Sequence, residues 1–241
     1  MKPTTTSFRA NTTNSSVHAI IPTFNEAGKV GGVLTILKKV DCLSEIIVVD
    51  DGSTDSTLQE VMQLAEEDSR IRILCHVKNL GKGEAIFTGW HASRAGYLLL
   101  LDADLFGLKP AHIQDLIQPV LDGKADMTIG QFKEGIWRSD FSHWLTPWLS
   151  GQRCLRSELL TRISHRAASG YGFETALTVA ARQNDWRCIR VPLRGVWHIP
   201  SESRRGLFPG LYTRARMYGQ IILAWYLAGG FRRLGLNPRV R

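Results

Sequence analysis

The run Tyr97–Leu101, one aromatic and four leucines behind Gly96, stops directly at Asp102-Ala103-Asp104. Apolar residues in unbroken succession leave no polar face. They predict a strand buried on both sides, the kind found in parallel sheets covered by helices. Two carboxylates then stand one residue apart where that strand runs out. Residues i and i+2 of a strand share a face, so Asp102 and Asp104 are expected to converge at the carboxyl edge of the sheet. Like charges that close are unfavourable unless one protonates or a cation lies between them. Hard oxygen ligands with positions open to phosphate oxygens suit Mg²⁺ or Mn²⁺. An isolated pair of this spacing is more often two solvated acids at a strand end, so the rest of the chain has to decide.

The same pattern recurs upstream. Val17–Pro22, Glu45–Asp51 and Ile71–Cys75 are apolar strands that give way to polar loops. Helical spacing connects them, first through Val30, Val33, Leu34 and Leu37. A second helix, N-capped within Gly52-Ser53-Thr54-Asp55, has an inner face of Leu58, Val61, Met62 and Ala65. A third opens from the glycine-rich turn Asn79–Gly83 and runs through Ala85, Ile86 and Trp90. Pro110–Leu121 predicts a helix, Ala125–Gly130 a strand, and Phe173-Glu174 the start of a helix through Ala176, Leu177, Val179 and Ala180. Trp186–Val196 predicts one or two strands, with Trp197-His198 at their end. This alternation specifies an α/β domain on a parallel sheet with right-handed crossovers. Ligands of such sheets bind beyond the carboxyl ends of the strands. Those ends carry Pro22-Thr23-Phe24-Asn25-Glu26, Asp50-Asp51-Gly52-Ser53, Asn79-Leu80-Gly81-Lys82-Gly83 and Asp102-Ala103-Asp104. No GxGxxG follows the first strand and no GxxxxGK[ST] occurs, which argues against the usual dinucleotide and P-loop sites.

With 241 residues the chain accommodates one large domain or two small ones. Its four cysteines, Cys42, Cys75, Cys154 and Cys188, are widely spaced and form no zinc pattern. They read as reduced thiols of a cytoplasmic protein. Residues 1–16, rich in Thr, Ser and Asn, have no apolar signal core and predict a disordered leader. Charge is unevenly placed: residues 201–241 hold eight arginines against the single acid Glu202, so this segment carries +7 of the net +8. A basic block of this kind faces anions such as phosphates, nucleic acid or a membrane surface.

Five motifs in this order resemble the family 2 glycosyltransferases of the GT-A fold, and most closely their dolichol- or polyprenyl-phosphate hexosyltransferase branch. They are Ile21-Pro22-Thr23-Phe24-Asn25-Glu26, Val48-Val49-Asp50-Asp51-Gly52-Ser53-Thr54-Asp55, Asn79-Leu80-Gly81-Lys82-Gly83, Asp102-Ala103-Asp104-Leu105 and Ser150-Gly151-Gln152-Arg153. The resemblance covers about residues 17–200 and implies a Rossmann-like, mostly parallel central sheet flanked by helices. It implies a nucleoside-diphosphate sugar as donor and a phosphate-bearing acceptor. Pro22, Thr23, Asn25, Glu26 and Asp51 are then expected at the donor's base and ribose, with Lys82 near the nucleotide. Asp102 and Asp104 are expected to hold the Mg²⁺ or Mn²⁺ that bridges the diphosphate, an electrostatic contribution to the transition state. Arg153 is expected to grip an acceptor phosphate by a bidentate contact. An ionised phosphate needs no strong base, whereas a hydroxyl acceptor does; Glu174 is the candidate base, or else a helix N-terminal acid on the dipole.

The chain departs from that branch at two positions. Phe106 stands where a further metal-ligating Gln is common, and His198 is the candidate replacement, as in the related glucosyl-3-phosphoglycerate synthases. Gln152 stands where the lipid-linked branch commonly has Phe, which leaves a small phosphorylated acceptor open as the alternative. Residues 201–241 are expected to form a basic lid, with Arg204 and Arg205 toward the acceptor phosphate, and then a C-terminal apolar helix. Met217–Phe231 carries no charge yet is shorter than the roughly 20 residues that span a bilayer. It reads as a core or homodimer helix, or as an interfacial helix that makes the protein peripheral on the cytoplasmic face of a membrane. The apolar centre of this tail argues against nucleic acid as partner, and the intact Asp102 and Asp104 argue against a non-catalytic nucleotide-sugar binder.

Overall fold

A computed structural model of the chain describes residues 15–133, 150–168 and 172–198. The strands are β1 (Val17–Thr23), β2 (Leu43–Asp50), β3 (Ile71–Cys75), β4 (Tyr97–Leu100), β5 (Leu105–Phe106), β6 (Met127–Lys133), β7 (Arg153–Arg156), β8 (Cys188–Arg194) and β9 (Trp197–His198). The helices are α1 (Val30–Leu37), α2 (Thr57–Glu67), α3 (Lys82–Ala92), α4 (Pro110–Leu121), the short α5 (His165–Ala168) and α6 (Phe173–Gln183). Among the described residues no helix is long and apolar enough to cross a membrane.

Seven strands form one sheet in the order β3-β2-β1-β4-β7-β6-β8. The β3-β2-β1-β4 half is parallel, and so is the β6–β8 pair. β7 runs antiparallel to both its neighbours, so the sheet is mostly parallel as expected, with one reversed strand between the halves. Successive residues of each central strand bury on opposite faces. Ala19, Ile21, Ile46, Val48, Leu99 and Leu101 enter one core, with α1 and α4. Ile20, Ile47, Val49, Leu98 and Leu100 enter the other, with α3 and α6. That two-sided burial is why these strands read as unbroken apolar runs.

Two expectations need correction. Met62 is 52% exposed, and Leu64 takes its place against the core beside Val61 and Ala65. Asp102 and Asp104 do not lie on the strand, which ends at Leu100; they occupy the turn between β4 and β5. Strand alternation therefore does not aim the two carboxylates, and the turn does.

The topology decides where a ligand can sit. From β1 the chain order runs outward to β2 and β3 on one side and to β4 on the other, which leaves a crevice beyond the carboxyl ends of β1 and β4. The β1–α1 loop and the Asp102–Asp104 turn therefore lie side by side, joined by the Leu101 N–H donating to Ile20 O. A separate two-stranded sheet pairs Leu105 with His198 and Phe106 with Trp197. The Phe106 and Trp197 rings stack with centroids 4.6 Å apart.

Candidate active site

The first two loops of the crevice are tied together before any ligand is considered. The Asp51 N–H donates to Thr23 O, and the buried Thr23 hydroxyl to Val49 O. Asn25, at φ 55°, accepts from the Thr54 N–H at 2.8 Å and donates its own N–H to Ser53 Oγ. The Glu26 N–H donates to Thr57 Oγ1 at 2.8 Å. Pro22, half-buried, precedes Thr23 at the end of β1. Asp51 fixes the third loop by accepting from the Leu80 N–H at 2.9 Å and the Gly81 N–H at 2.7 Å. Its Oδ1 also lies 2.7 Å from Nδ1 of His76, whose Nε2 is 2.9 Å from Thr88 Oγ1. Gly52, at φ 75°, lets this loop close: a Cβ there would fall 2.7 Å from the Lys78 backbone. Loops held by this many donors form a preorganised frame.

The charged centre is built around Lys82 at the start of α3. Its ammonium lies 2.6 Å from Asp102 Oδ1 and 2.5 Å from Glu174 Oε1. Burial pulls the ammonium's pKa down, but the two carboxylates more than offset this and hold it above the ordinary lysine value. Asp102 Oδ2 accepts from the Gln152 amide at 2.7 Å, and Gln152 Oε1 accepts from the Ser150 hydroxyl at 2.8 Å. Burial pushes the Asp102 carboxyl up, while the Lys82 charge and these hydrogen bonds bring it below the usual carboxylate range. Asp104 differs. Burial, then the charges of Asp102 and Glu26, push it up to about 6, against the opposing pull of His198 and Lys29. Glu26 is itself ion-paired with Lys29.

Asp102, Asp104 and His198 form the donor set available to a metal. The β5–β9 pairing brings His198 opposite Leu105, next to Asp104 in the chain. Hard carboxylates and one imidazole suit Mn²⁺ or Mg²⁺, and a divalent cation relieves the like-charge crowding at Asp104. Among the described residues no three such side chains already converge as ligands, and both Asp102 oxygens are engaged. These residue types fit such an ion.

Arg153, the residue expected to grip an acceptor phosphate, is a buried side chain. It is 1% exposed at the start of β7. Its Nε donates to Ser150 O at 2.9 Å and Nη2 to Thr178 Oγ1 at 3.1 Å and Glu174 O at 3.3 Å, while Nη1 lies 3.7 Å from Met127 Sδ. Burial pulls its pKa down to about 10, so it stays charged at neutral pH. The guanidinium thus holds the Ser150-Gly151 turn against the first turn of α6. Glu174 is 7% exposed and carries the Lys82 contact. Arg204 and Arg205, the basic lid, the Met217–Phe231 helix and the leader up to residue 14 lie outside the described residues.

Sequence reasoning missed the Gln152–Asp102 bond and the role of His76. It also missed why position 151 is glycine. A Cβ at Gly151 would lie 2.7 Å from both Asp102 Oδ1 and Lys82 Nζ. The motif around Gln152 was visible, but its partner is 50 residues away and spacing carries no sign of it.

Residues 18–176 match the profile of glycosyl transferase family 2. The chain belongs to that family. A polyprenol monophosphomannose synthase of Mycolicibacterium smegmatis is 29% identical over 200 residues, covering 72% of this chain and 75% of that protein. A dolichyl-phosphate beta-glucosyltransferase of Trichomonas vaginalis is 29% identical over 206 residues, covering 81% of this chain and 55% of its own length. The corresponding enzyme of Saccharomyces cerevisiae is 36% identical over 95 residues, covering 35% of this chain and 28% of its own. The chain thus matches little more than half of one of these glucosyltransferases and about a quarter of the other. Among solved structures, a glucosyl-3-phosphoglycerate synthase from Mycobacterium tuberculosis superposes with a TM-score of 0.73 at 23% identity, covering 92% of this chain and 82% of that one. That structure was obtained in complex with Mn²⁺, UDP-glucose and phosphoglyceric acid. The likeness shows the GT-A fold.

Proposed function

We propose that this family 2 glycosyltransferase moves a hexose from a nucleoside-diphosphate sugar onto a polyprenyl phosphate, with inversion and with Mg²⁺ or Mn²⁺. The observation that carries the acceptor class is the Lys82–Glu174 ion pair. Glu174 is the carboxylate expected to act as base for a hydroxyl acceptor, and here it is committed to an ammonium. An acceptor phosphate is already ionised near neutral pH and needs no base. The names of the relatives, a polyprenol-phosphate mannose synthase and dolichyl-phosphate glucosyltransferases, support the lipid form of that phosphate.

In the proposed reaction an acceptor phosphate oxygen attacks the anomeric carbon from the face opposite the leaving group. The bond from that carbon to the diphosphate breaks, and the nucleoside diphosphate departs with the electron pair. Pro22, Thr23, Asn25, Glu26 and Asp51 frame the base and ribose, and Lys82 presents positive charge toward the nucleotide. Asp102, Asp104 and His198 would hold the metal, which when bound spreads the charge developing on the leaving diphosphate. Arg153 positions the Ser150-Gly151 turn and α6 from beneath. Peripheral membrane contact through the basic tail follows from a lipid acceptor.

The test supplies the purified chain and Mn²⁺ or Mg²⁺ with UDP-glucose or GDP-mannose, each with a short polyprenyl phosphate or 3-phosphoglycerate. Glycosylated lipid phosphate with inverted anomeric configuration is expected. Product on 3-phosphoglycerate alone replaces the lipid with a small phosphorylated acceptor. No product in any pairing overturns the reading.

A further inference from the structure

Both oxygens of Asp102 are occupied, one of them by a full positive charge. Lys82 Nζ is 2.6 Å from Oδ1, and the Gln152 amide nitrogen is 2.7 Å from Oδ2. The same ammonium is 2.5 Å from Glu174 Oε1, so a single cation bridges two carboxylates that stand 72 residues apart in the sequence. Gly151 packs against this pair so closely that a Cβ there would force the two side chains to shift. A divalent cation that uses Asp102 meets the ammonium first, and two cations on one carboxylate repel each other.

We propose that Lys82 is an internal counter-cation exchanged on donor loading: in the donor-free protein it holds Asp102 and Glu174, and it leaves Asp102 when a cation-bridged diphosphate arrives. The inference rests on the reading of the crevice as a nucleoside-diphosphate-sugar site. Charge stays balanced through the exchange. The divalent cation takes over Asp102, and Lys82 keeps Glu174 while gaining diphosphate oxygens as new partners. Free metal therefore binds weakly, because it must displace an ammonium that has nowhere better to go. Metal with diphosphate binds well, because the diphosphate receives the displaced lysine. The two ligands raise each other's affinity by one shared factor. Removing the ammonium has opposite effects on them: metal alone gains, and diphosphate alone loses.

The experiment uses the full chain and its Lys82→Met and Lys82→Arg variants, with thermal melts to establish folding. Mn²⁺ alone is titrated by electron paramagnetic resonance, UDP and GDP alone by calorimetry, and Mn²⁺ again at saturating nucleotide. Lys82→Met is expected to bind Mn²⁺ alone at least tenfold tighter and nucleotide alone at least tenfold weaker. Lys82→Arg, which keeps the charge, is expected to retain the wild-type weakness for free Mn²⁺. If Lys82→Met does not fold, Lys82→Gln carries the same expectation. A folded, uncharged variant that binds free Mn²⁺ no better than wild type overturns the exchange while leaving the donor site standing. Wild-type protein that binds neither Mn²⁺ nor nucleotide under any of these conditions refutes the donor-site reading and the exchange with it.

Discussion

Replacing Arg153 with Met separates a buried strut from a substrate contact. The guanidinium is 1% exposed and donates to Ser150 O, Glu174 O and Thr178 Oγ1. Charged hydrogen bonds contribute about 1.5–3 kcal/mol each, so their loss costs on the order of 4–9 kcal/mol. Burial opposes part of this. It lowers the Arg153 pKa from the ordinary arginine range to about 10, and the methionine escapes that cost of about 3 kcal/mol. Glu174 O also keeps its bond from the Thr178 hydroxyl at 2.7 Å, while the Ser150 carbonyl loses the donor that Nε supplied. The net loss is about 3 kcal/mol, which for a domain of this size lowers Tm by roughly 6–12 °C. Melting followed by circular dichroism at pH 7.5 gives that shift directly. Steady-state kinetics on the folded variant should show KM rising for donor and acceptor together, since the Ser150-Gly151 turn leads to Gln152 and Asp102 while α6 carries Glu174. A variant with wild-type Tm and a rise confined to acceptor KM would show that the guanidinium reaches the acceptor, and the strut argument would fall.

Gly151→Ala should leave Tm within a few degrees yet weaken binding of nucleotide with Mn²⁺ at least tenfold, because the new methyl falls against both Asp102 oxygens and turns that carboxylate away from the cation; unchanged calorimetric affinity would contradict the packing. Asp104, raised from 3.8 to about 6 in the folded metal-free protein, contributes stability that is fully present below about pH 4 and is lost as pH rises through 6, at most about 3 kcal/mol. Asp104→Asn should therefore stabilise the metal-free chain at pH 7.5 more than at pH 5, and equal Tm differences at both pH values would dismiss that pKa. His76→Ala should loosen the Asn79–Gly81 loop and speed backbone hydrogen exchange at Leu80 and Gly81, whose N–H groups donate to Asp51; unaltered protection there would mean that Asp51 holds the loop without its histidine.

The parallel half of the sheet was legible because burial on both faces leaves a one-dimensional mark. Ile46, Ile47, Val48 and Val49 are each fully buried, and a run like that needs no partner to be recognised. The limits of α4, Pro110–Leu121, could likewise be read from its N-terminal proline and apolar spacing. Reversed β7 was not legible. Arg153-Cys154-Leu155-Arg156 is short and flanked by charge, and it is a strand only because β4 and β6 offer it edges on either side. Met62 failed for a similar reason, since helical spacing names a face but not how far around the helix the neighbour reaches.

The site divides along the same line. Its loops could be found, because polar and glycine residues at successive strand ends are a local signal. Its pairings could not: Lys82 meets Glu174 across 92 residues, and Gln152 meets Asp102 across 50. This changes the meaning of the Gln152 departure. Read against the lipid-linked pattern, a glutamine in place of phenylalanine pointed to the acceptor. In the fold the side chain is 1% exposed and spans from Ser150 to Asp102. A residue bonded to Asp102 bears first on how that carboxylate is oriented, so the glutamine has a structural reason that is separate from the choice of acceptor.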